Sequence, residues 1–125
     1  MKMDPKLKAR WVKALRSGRY KQARNTLKTT VIEQDEWELD GPRYCCLGVL
    51  CNIINPKGWE DLGGTCQEWT PPAKVGSEDS CTSELSEAVR RFAGLSSSHH
   101  QKLMRMNDLD HSTFREIADW IEAKL

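Results

Sequence analysis

The most apolar stretch of the sequence is Tyr44-Cys45-Cys46-Leu47-Gly48-Val49-Leu50-Cys51-Asn52-Ile53-Ile54. Apolar side chains recur in it at the spacing of one helix face, at Leu47, Leu50, Cys51 and Ile54. Because most of the remaining positions are apolar too, we predict a central helix that is buried on all sides. A length of about ten residues also permits a buried strand. Gly48 costs a helix about 1 kcal/mol relative to Ala, so we expect another backbone to pack against it.

Length and composition indicate one compact domain over residues 1–125. The chain has 125 residues, of which 38% are hydrophobic and five are Trp, enough for a single core. No apolar run approaches the roughly 18–20 residues that span a bilayer. The basic N-terminus has no apolar stretch behind it, unlike a signal peptide. We therefore expect a cytoplasmic protein with no membrane contact.

The cysteines favour reduced thiols over a disulfide framework. Their number, five, is odd, and two of them are adjacent. The C-x-x-C spacing of zinc sites is absent, and we predict no cofactor and no metal. A scattered site that combines Cys66, Cys81 and either His99 or His100 stays open as an alternative.

Charge is distributed unevenly along the chain. Residues 1–30 contain ten Lys or Arg and one acid, whereas residues 31–87 contain three basic and twelve acidic residues. This asymmetry indicates either a face that binds anions near the N-terminus or complementary charges within the molecule.

The N-terminal half is predicted to hold a helix and a hairpin. Asp4-Pro5 is a good helix start and Ser17-Gly18 a good end. Residues 19–25 are predicted to form a connection. Strands over residues 26–32 and 36–39 are then expected to pair as an antiparallel hairpin.

The C-terminal half is predicted to be mainly helical. Residues 58–82 are irregular, with a short hairpin that packs Trp69 over the core. A first helix is indicated by the stripe Leu85, Ala88, Val89 and Phe92. A second starts at Ser96 or Ser97 and is broken from Asn107, and a third has a capping box at Thr113 and Glu116. The fold class is α+β, in which an N-terminal helix, a small antiparallel hairpin sheet and three short C-terminal helices enclose the central helix.

Four motifs together resemble small proteins encoded by bacteriophages and prophages. They are W-x-x-A-L-x-S-G-x-Y-x-Q at 11–22, Y-C-C-L-G-V-L-C at 44–51, Asn107-Asp108, and F-x-x-I-A-D-x-I-E at 114–122. The resemblance covers nearly the whole chain but transfers no activity to individual residues. It implies an accessory role such as countering a host defence, and a buried hydrogen bond from the Asn-Asp pair to the central helix.

Two sets of side chains offer chemistry. Cys45 and Cys46 would lie in the first turn of the central helix, where the helix dipole lowers a thiol pKa. Their apolar neighbours favour a packing role instead, and we predict the same structural role for Gly48 and Cys51. The stronger candidate is a ligand-binding set that combines cations with a stacking ring, namely Arg16, Arg19, Tyr20, Lys21 and Arg24.

We expect a non-catalytic binding protein that engages a host protein or an anionic, nucleotide-like molecule in the host cytoplasm. The alternatives are a nucleic-acid-binding regulator that uses the basic N-terminal helix, and a Cys-dependent enzyme. A homo-oligomer, in which the acidic residues 33–40 of one copy meet the basic helix of another, is also possible.

Overall fold

A computed structural model describes residues 3–29, 42–61, 67–75 and 82–125. These ranges contain five helices, which are α1 (Pro5–Arg16), α2 (Cys46–Ile54), α3 (Glu87–Ala93), α4 (Ser97–Asp108) and α5 (Phe114–Lys124). They also contain five short strands, which are β1 (Lys21–Gln22), β2 (Lys28–Thr29), β3 (Arg43–Tyr44), β4 (Trp59–Asp61) and β5 (Gln67–Trp69). The α+β class is therefore confirmed. None of the described helices has the length and apolar character needed to cross a membrane.

Helix α1 begins where the sequence predicted. The Asp4 carboxylate accepts a hydrogen bond from the Lys6 N–H at 3.2 Å, and Pro5 occupies the first helical position. Its inner face buries Trp11, and the Trp11 Nε1 donates to the Cys46 carbonyl at 2.9 Å. This bond ties α1 to the start of α2.

Helix α2 is the predicted central helix. Every residue from Cys46 to Cys51 is buried. A Cβ on Gly48 would lie only 1.8 Å from the Leu27 carbonyl oxygen, so another backbone does pack against this glycine. The same Leu27 oxygen accepts a hydrogen bond from the Cys45 N–H at 3.1 Å. Glycine is thus required because the chain just before β2 crosses directly over α2.

The sheet beside α2 differs from the predicted hairpin. Its strand order is β1-β3-β2, with β1 parallel and β2 antiparallel to β3. Strand β2 lies within the predicted strand 26–32, but the predicted partner strand 36–39 lies outside the described residues. Strand β1 arises from residues 19–25, which were predicted to be a connection. Two-residue strands are too short to show alternation, so the sequence did not indicate this parallel pair.

A second sheet is the short antiparallel hairpin β4–β5. Trp69 on β5 is fully buried, as predicted, and its Nε1 donates to the Asn55 carbonyl at 2.9 Å. This bond fixes the hairpin to the end of α2.

The three C-terminal helices are confirmed, including the capping box of α5. Two details were predicted wrongly. Phe92 is 43% exposed, because α3 turns Ala93 toward the core together with Val89, which was predicted to lie there. The Lys74 Nζ lies 5.4 Å from the Phe92 ring centroid. Helix α4 continues through Asn107 to Asp108, since the buried Asn107 amide hydrogen-bonds within the core and does not end the helix.

Candidate functional site

The thiols of α2 are placed for packing. Cys45, Cys46 and Cys51 are all buried. The Cys45 Sγ accepts a hydrogen bond from the Gly48 N–H at 3.3 Å, and the Cys46 Sγ lies 3.7 Å from the Leu103 carbonyl oxygen, to which it donates. Burial raises the pKa of Cys45 to about 12 and also raises the pKa of Cys46. Thiolate, the nucleophilic form, is therefore scarce at neutral pH.

His100, one of the two histidines considered for the alternative metal site, is used inside the core. The His100 Nε2 accepts a hydrogen bond from the Leu85 N–H at 3.1 Å, which requires a neutral ring. Burial lowers the pKa of His100, an effect that Glu84 opposes and Arg90 reinforces. Cys66 and Cys81 of the alternative metal site lie outside the described residues. Within the described ranges no group of three or more His, Cys, Asp or Glu is arranged to hold a metal ion.

Three of the predicted ligand-binding cations lie on one short segment, residues 19–25, which we call the basic turn. Arg19, Lys21 and Arg24 are all exposed on it. The parallel pairing of β1 with β3 places Arg43 directly beside Lys21. Arg43 was absent from the predicted set, because its proximity depends on a pairing that the sequence does not reveal.

Arg16 is used elsewhere. Its guanidinium forms ion pairs with Asp119 at 2.7 Å and Glu122 at 2.8 Å. Hydrogen bonds to these two carboxylates raise the pKa of Arg16. The residue therefore ties α1 to α5 and is not grouped with the cations of the basic turn.

Tyr20 is directed toward the interior of the fold. Its hydroxyl accepts a hydrogen bond from the Asn52 Nδ2 at 2.9 Å, and its ring meets Tyr44 edge-to-face with centroids 5.1 Å apart. Asn52 also accepts a hydrogen bond from the Trp59 Nε1 at 3.1 Å. Tyr20 thus belongs to an aromatic cluster beside α2, and its ring is only partly open to a ligand.

Lys28 is likewise engaged by this cluster. Its Nζ lies 5.3 Å from the Tyr44 ring centroid and 5.0 Å from that of Trp59. Cation–π attraction stabilises the ammonium there, while burial lowers the pKa of Lys28. The exposed cations of the basic turn are therefore more accessible to an external anion than Lys28 is.

Asn107 joins the basic turn to the core. Its side chain is fully buried. The Oδ1 accepts hydrogen bonds from the Cys46 N–H at 3.2 Å and the Gln22 Nε2 at 2.9 Å. The Nδ2 donates to the Ala23 carbonyl and to the Asp108 Oδ1, both at 2.8 Å. One amide thus satisfies the start of α2 and holds two residues of the turn, with the hydrogen bond to the central helix that the resemblance implied.

Asp108 extends this contact to the far end of the turn. Its Oδ1 accepts a hydrogen bond from the Asn25 N–H at 3.0 Å. Asn25 has φ 63°, a left-handed conformation that non-glycine residues seldom adopt and that Asn tolerates best. Gln22 also donates to the Ser112 carbonyl at 2.8 Å. We call Asn107 and Asp108 the clamp, since together they fix residues 22, 23 and 25.

Comparison with protein families gives one result. The profile of a family described as a domain of unknown function (DUF8296) matches residues 3–125. The chain belongs to this family. Searches among curated proteins and among solved structures found no match. The matched range includes all four motifs noted in the sequence, as well as the basic turn and the clamp.

The geometry of the basic turn suits binding. It presents exposed cations on a segment that is held by hydrogen bonds to the clamp. Guanidinium groups recognise carboxylate or phosphate oxygens by paired hydrogen bonds. The thiols, the only strong nucleophiles of α2, are buried away from solvent.

Proposed function

We propose that the protein is a non-catalytic, phage-type accessory protein that counters a host defence by binding. Its partner is a host immune protein or an anionic, nucleotide-like signal in the host cytoplasm. The contact surface is the basic turn, with Arg19 and Arg24 as its principal cations and with Lys21 and Arg43 beside them.

One observation carries this proposal, which is the contact between the clamp and the basic turn. If the buried Asn107 side chain only satisfied the start of α2, it would not need to reach residues 22 and 23, and Asp108 would not need to reach residue 25. The clamp contacts all three of them at distances from 2.8 to 3.0 Å. Loops that bind ligands are commonly held by a rigid scaffold in this way.

The fixed backbone has an energetic consequence. A flexible segment loses conformational entropy when it binds, at a cost of about 1–2 kcal/mol for each ordered residue. A segment that is already held by the clamp avoids most of that cost, so more of the attraction between its cations and an anion appears as affinity. The proposed counter-defence role rests in addition on the phage-type motifs.

The proposal is tested by comparing two tagged variants with the unaltered chain in phage-infected cells. The first carries Arg19→Glu and Arg24→Glu. The matched control carries Lys102→Glu and Arg115→Glu, which change the net charge equally at exposed positions outside the turn. Native mass spectrometry of each purified protein then reports retained proteins and small molecules together.

We expect a partner or small molecule that is retained by the unaltered chain and by the control variant but lost from the first variant. Plaque counts on a host with an active defence should follow the same order. Equal retention by all three proteins would contradict the proposal. Retained DNA or RNA whose affinity falls steeply with salt would support the nucleic-acid regulator instead.

A further inference from the structure

The outer face of α1 borders a groove that the proposed function does not use. The groove is open, with a volume of about 750 Å³. We call it the α1 groove, and the residues that line it are Pro5, Lys8, Ala9, Val12, Lys13, Arg16, Ser17 and Glu122. All but Glu122 belong to α1 and its C-cap, at the spacing of a single helix face.

The floor of the α1 groove is apolar. Pro5, Ala9 and Val12 lie on successive turns of α1, and Val12 is almost fully buried beneath the surface. Residues 5 to 17 of a helix extend about 18 Å along its axis at 1.5 Å per residue. The groove therefore has the length of roughly three helical turns, which is more than a compact ligand would fill.

The charges at the edge of the groove are only partly balanced. Arg16 is shared between Asp119 at 2.7 Å and Glu122 at 2.8 Å, so it adds no free positive charge, and only Glu122 of these two acids lines the groove. The Lys8 Nζ donates to the Glu122 backbone carbonyl at 3.3 Å and forms no ion pair with a carboxylate of the described residues. Lys13 is exposed and makes no ion pair with any described residue. Lys8 and Lys13 are separated by about 7.5 Å along the helix axis.

We propose that the α1 groove binds an acidic amphipathic helix of a partner protein. Apolar side chains at helical spacing would cover Pro5, Ala9 and Val12, and acidic side chains beside them would meet Lys8 and Lys13. Recognition of an amphipathic helix in an apolar groove is a recurring mode of protein binding. Charge complementarity selects acidic helices over basic ones.

Two features of the lining favour this occupant over a small anion. No aromatic side chain is among the described residues that line the groove, so a nucleobase finds no ring to stack on. Lys8 and Lys13, neither of which forms an ion pair within the described part of the chain, are separated along the groove, so a ligand with a single anionic group would meet only one of them. A helix with acids on successive turns meets both.

Selection from a displayed library of random peptides about 16 residues long tests the proposal without assuming a sequence. We expect enriched peptides to combine acidic residues with apolar residues at i, i+3, i+4 and i+7. On titration into the full chain, these peptides should shift the amide resonances of Ala9, Val12 and Ser17. The same peptides with Lys in place of each acid should bind at least about tenfold more weakly.

Variants on α1 separate the groove from general charge. Lys8→Glu with Lys13→Glu should weaken binding by about tenfold or more. Lys6→Glu with Lys102→Glu makes the same change of net charge outside the groove and should alter binding by less than about twofold. Arg19→Glu with Arg24→Glu should also leave peptide binding unchanged, which keeps this result independent of the proposed function.

Three outcomes would overturn the proposal. Enriched peptides without acidic bias would remove the role of Lys8 and Lys13. Resonance shifts confined to other surfaces would remove the groove as the site. If decanoate shifts the amide resonances of the groove residues and no enriched peptide shifts them, the groove would be assigned to an anionic amphiphile.

Discussion

Helix α2 and the basic turn are opposite in character, yet the same residue supports both. In α2 the side chains from Cys46 to Cys51 are buried, and even the thiols act as packing groups. In the basic turn the cations are exposed. The Asn107 Oδ1 accepts hydrogen bonds from the Cys46 N–H at the start of α2 and from Gln22 of the basic turn, and its Nδ2 donates to the Ala23 carbonyl of the turn. We therefore expect substitutions in α2 to lower stability, and substitutions of the exposed cations of the basic turn to lower binding with little effect on stability.

The largest loss of stability is expected from Gly48→Ala. The added methyl group would lie 1.8 Å from the Leu27 carbonyl oxygen, a backbone atom that cannot move without displacing β2. We expect the free energy of unfolding in urea to fall by roughly 3 kcal/mol. Gly18→Ala is the matched control, because its Cβ would meet open space. Only the left-handed φ of 76° disfavours alanine there, and this should lower the free energy of unfolding by about 1 kcal/mol. Equal losses for the two variants would show that the close approach is unimportant.

A smaller loss, with a local signature, is expected from Asn107→Ala. The variant leaves the buried Cys46 N–H and Ala23 carbonyl without partners, which should cost about 2 kcal/mol in unfolding free energy. Amide hydrogen exchange at Asn25 should also become faster, since the turn loses its support. Asp108→Ala removes only the end of the clamp, so it should speed exchange at Asn25 at a smaller cost in stability. Unchanged amide exchange at Asn25 in both variants would show that the clamp does not hold the basic turn.

The free energy of unfolding should depend on pH through His100, which connects α4 to the residues just before α3. The pKa of His100 is lowered by burial in the folded state, and its neutral ring accepts the Leu85 N–H. The folded state therefore binds a proton less readily than the unfolded chain, so stability should fall as the pH is lowered through the range below about 6.5. His100→Gln should show a weaker fall between pH 7 and pH 5 in parallel urea titrations. An identical fall in both proteins would assign the effect to other groups.

The smallest effect on stability is expected from charge reversal in the basic turn. Arg19 and Arg24 are exposed, and neither is paired with a described acidic residue. Each substitution by Glu should change the free energy of unfolding by no more than about 0.5 kcal/mol. A larger loss, measured in the same urea titrations, would give these arginines a structural role that the described contacts do not contain.

The sequence was informative where local physics decides the outcome. The apolar run and its glycine indicated α2 and a close backbone, and Thr113 with Glu116 indicated the start of α5. The parallel pairing of β1 with β3 was missed because it joins residues about twenty positions apart through strands of two residues. Partners across the fold were equally hidden, so Arg16 was grouped with the turn although α5 supplies its two carboxylates.

Simultaneous measurement of binding and stability tests the central claim most directly. Arg19→Glu with Arg24→Glu is compared with Lys102→Glu with Arg115→Glu, and each purified protein is examined for the partner it retains from infected cells and for its unfolding free energy. We predict that the turn variant loses the partner while its unfolding free energy stays within about 1 kcal/mol of that of the unaltered chain. The control variant should keep both the partner and its stability. A turn variant that is equally stable and still holds the partner would contradict the claim that the basic turn is the binding surface.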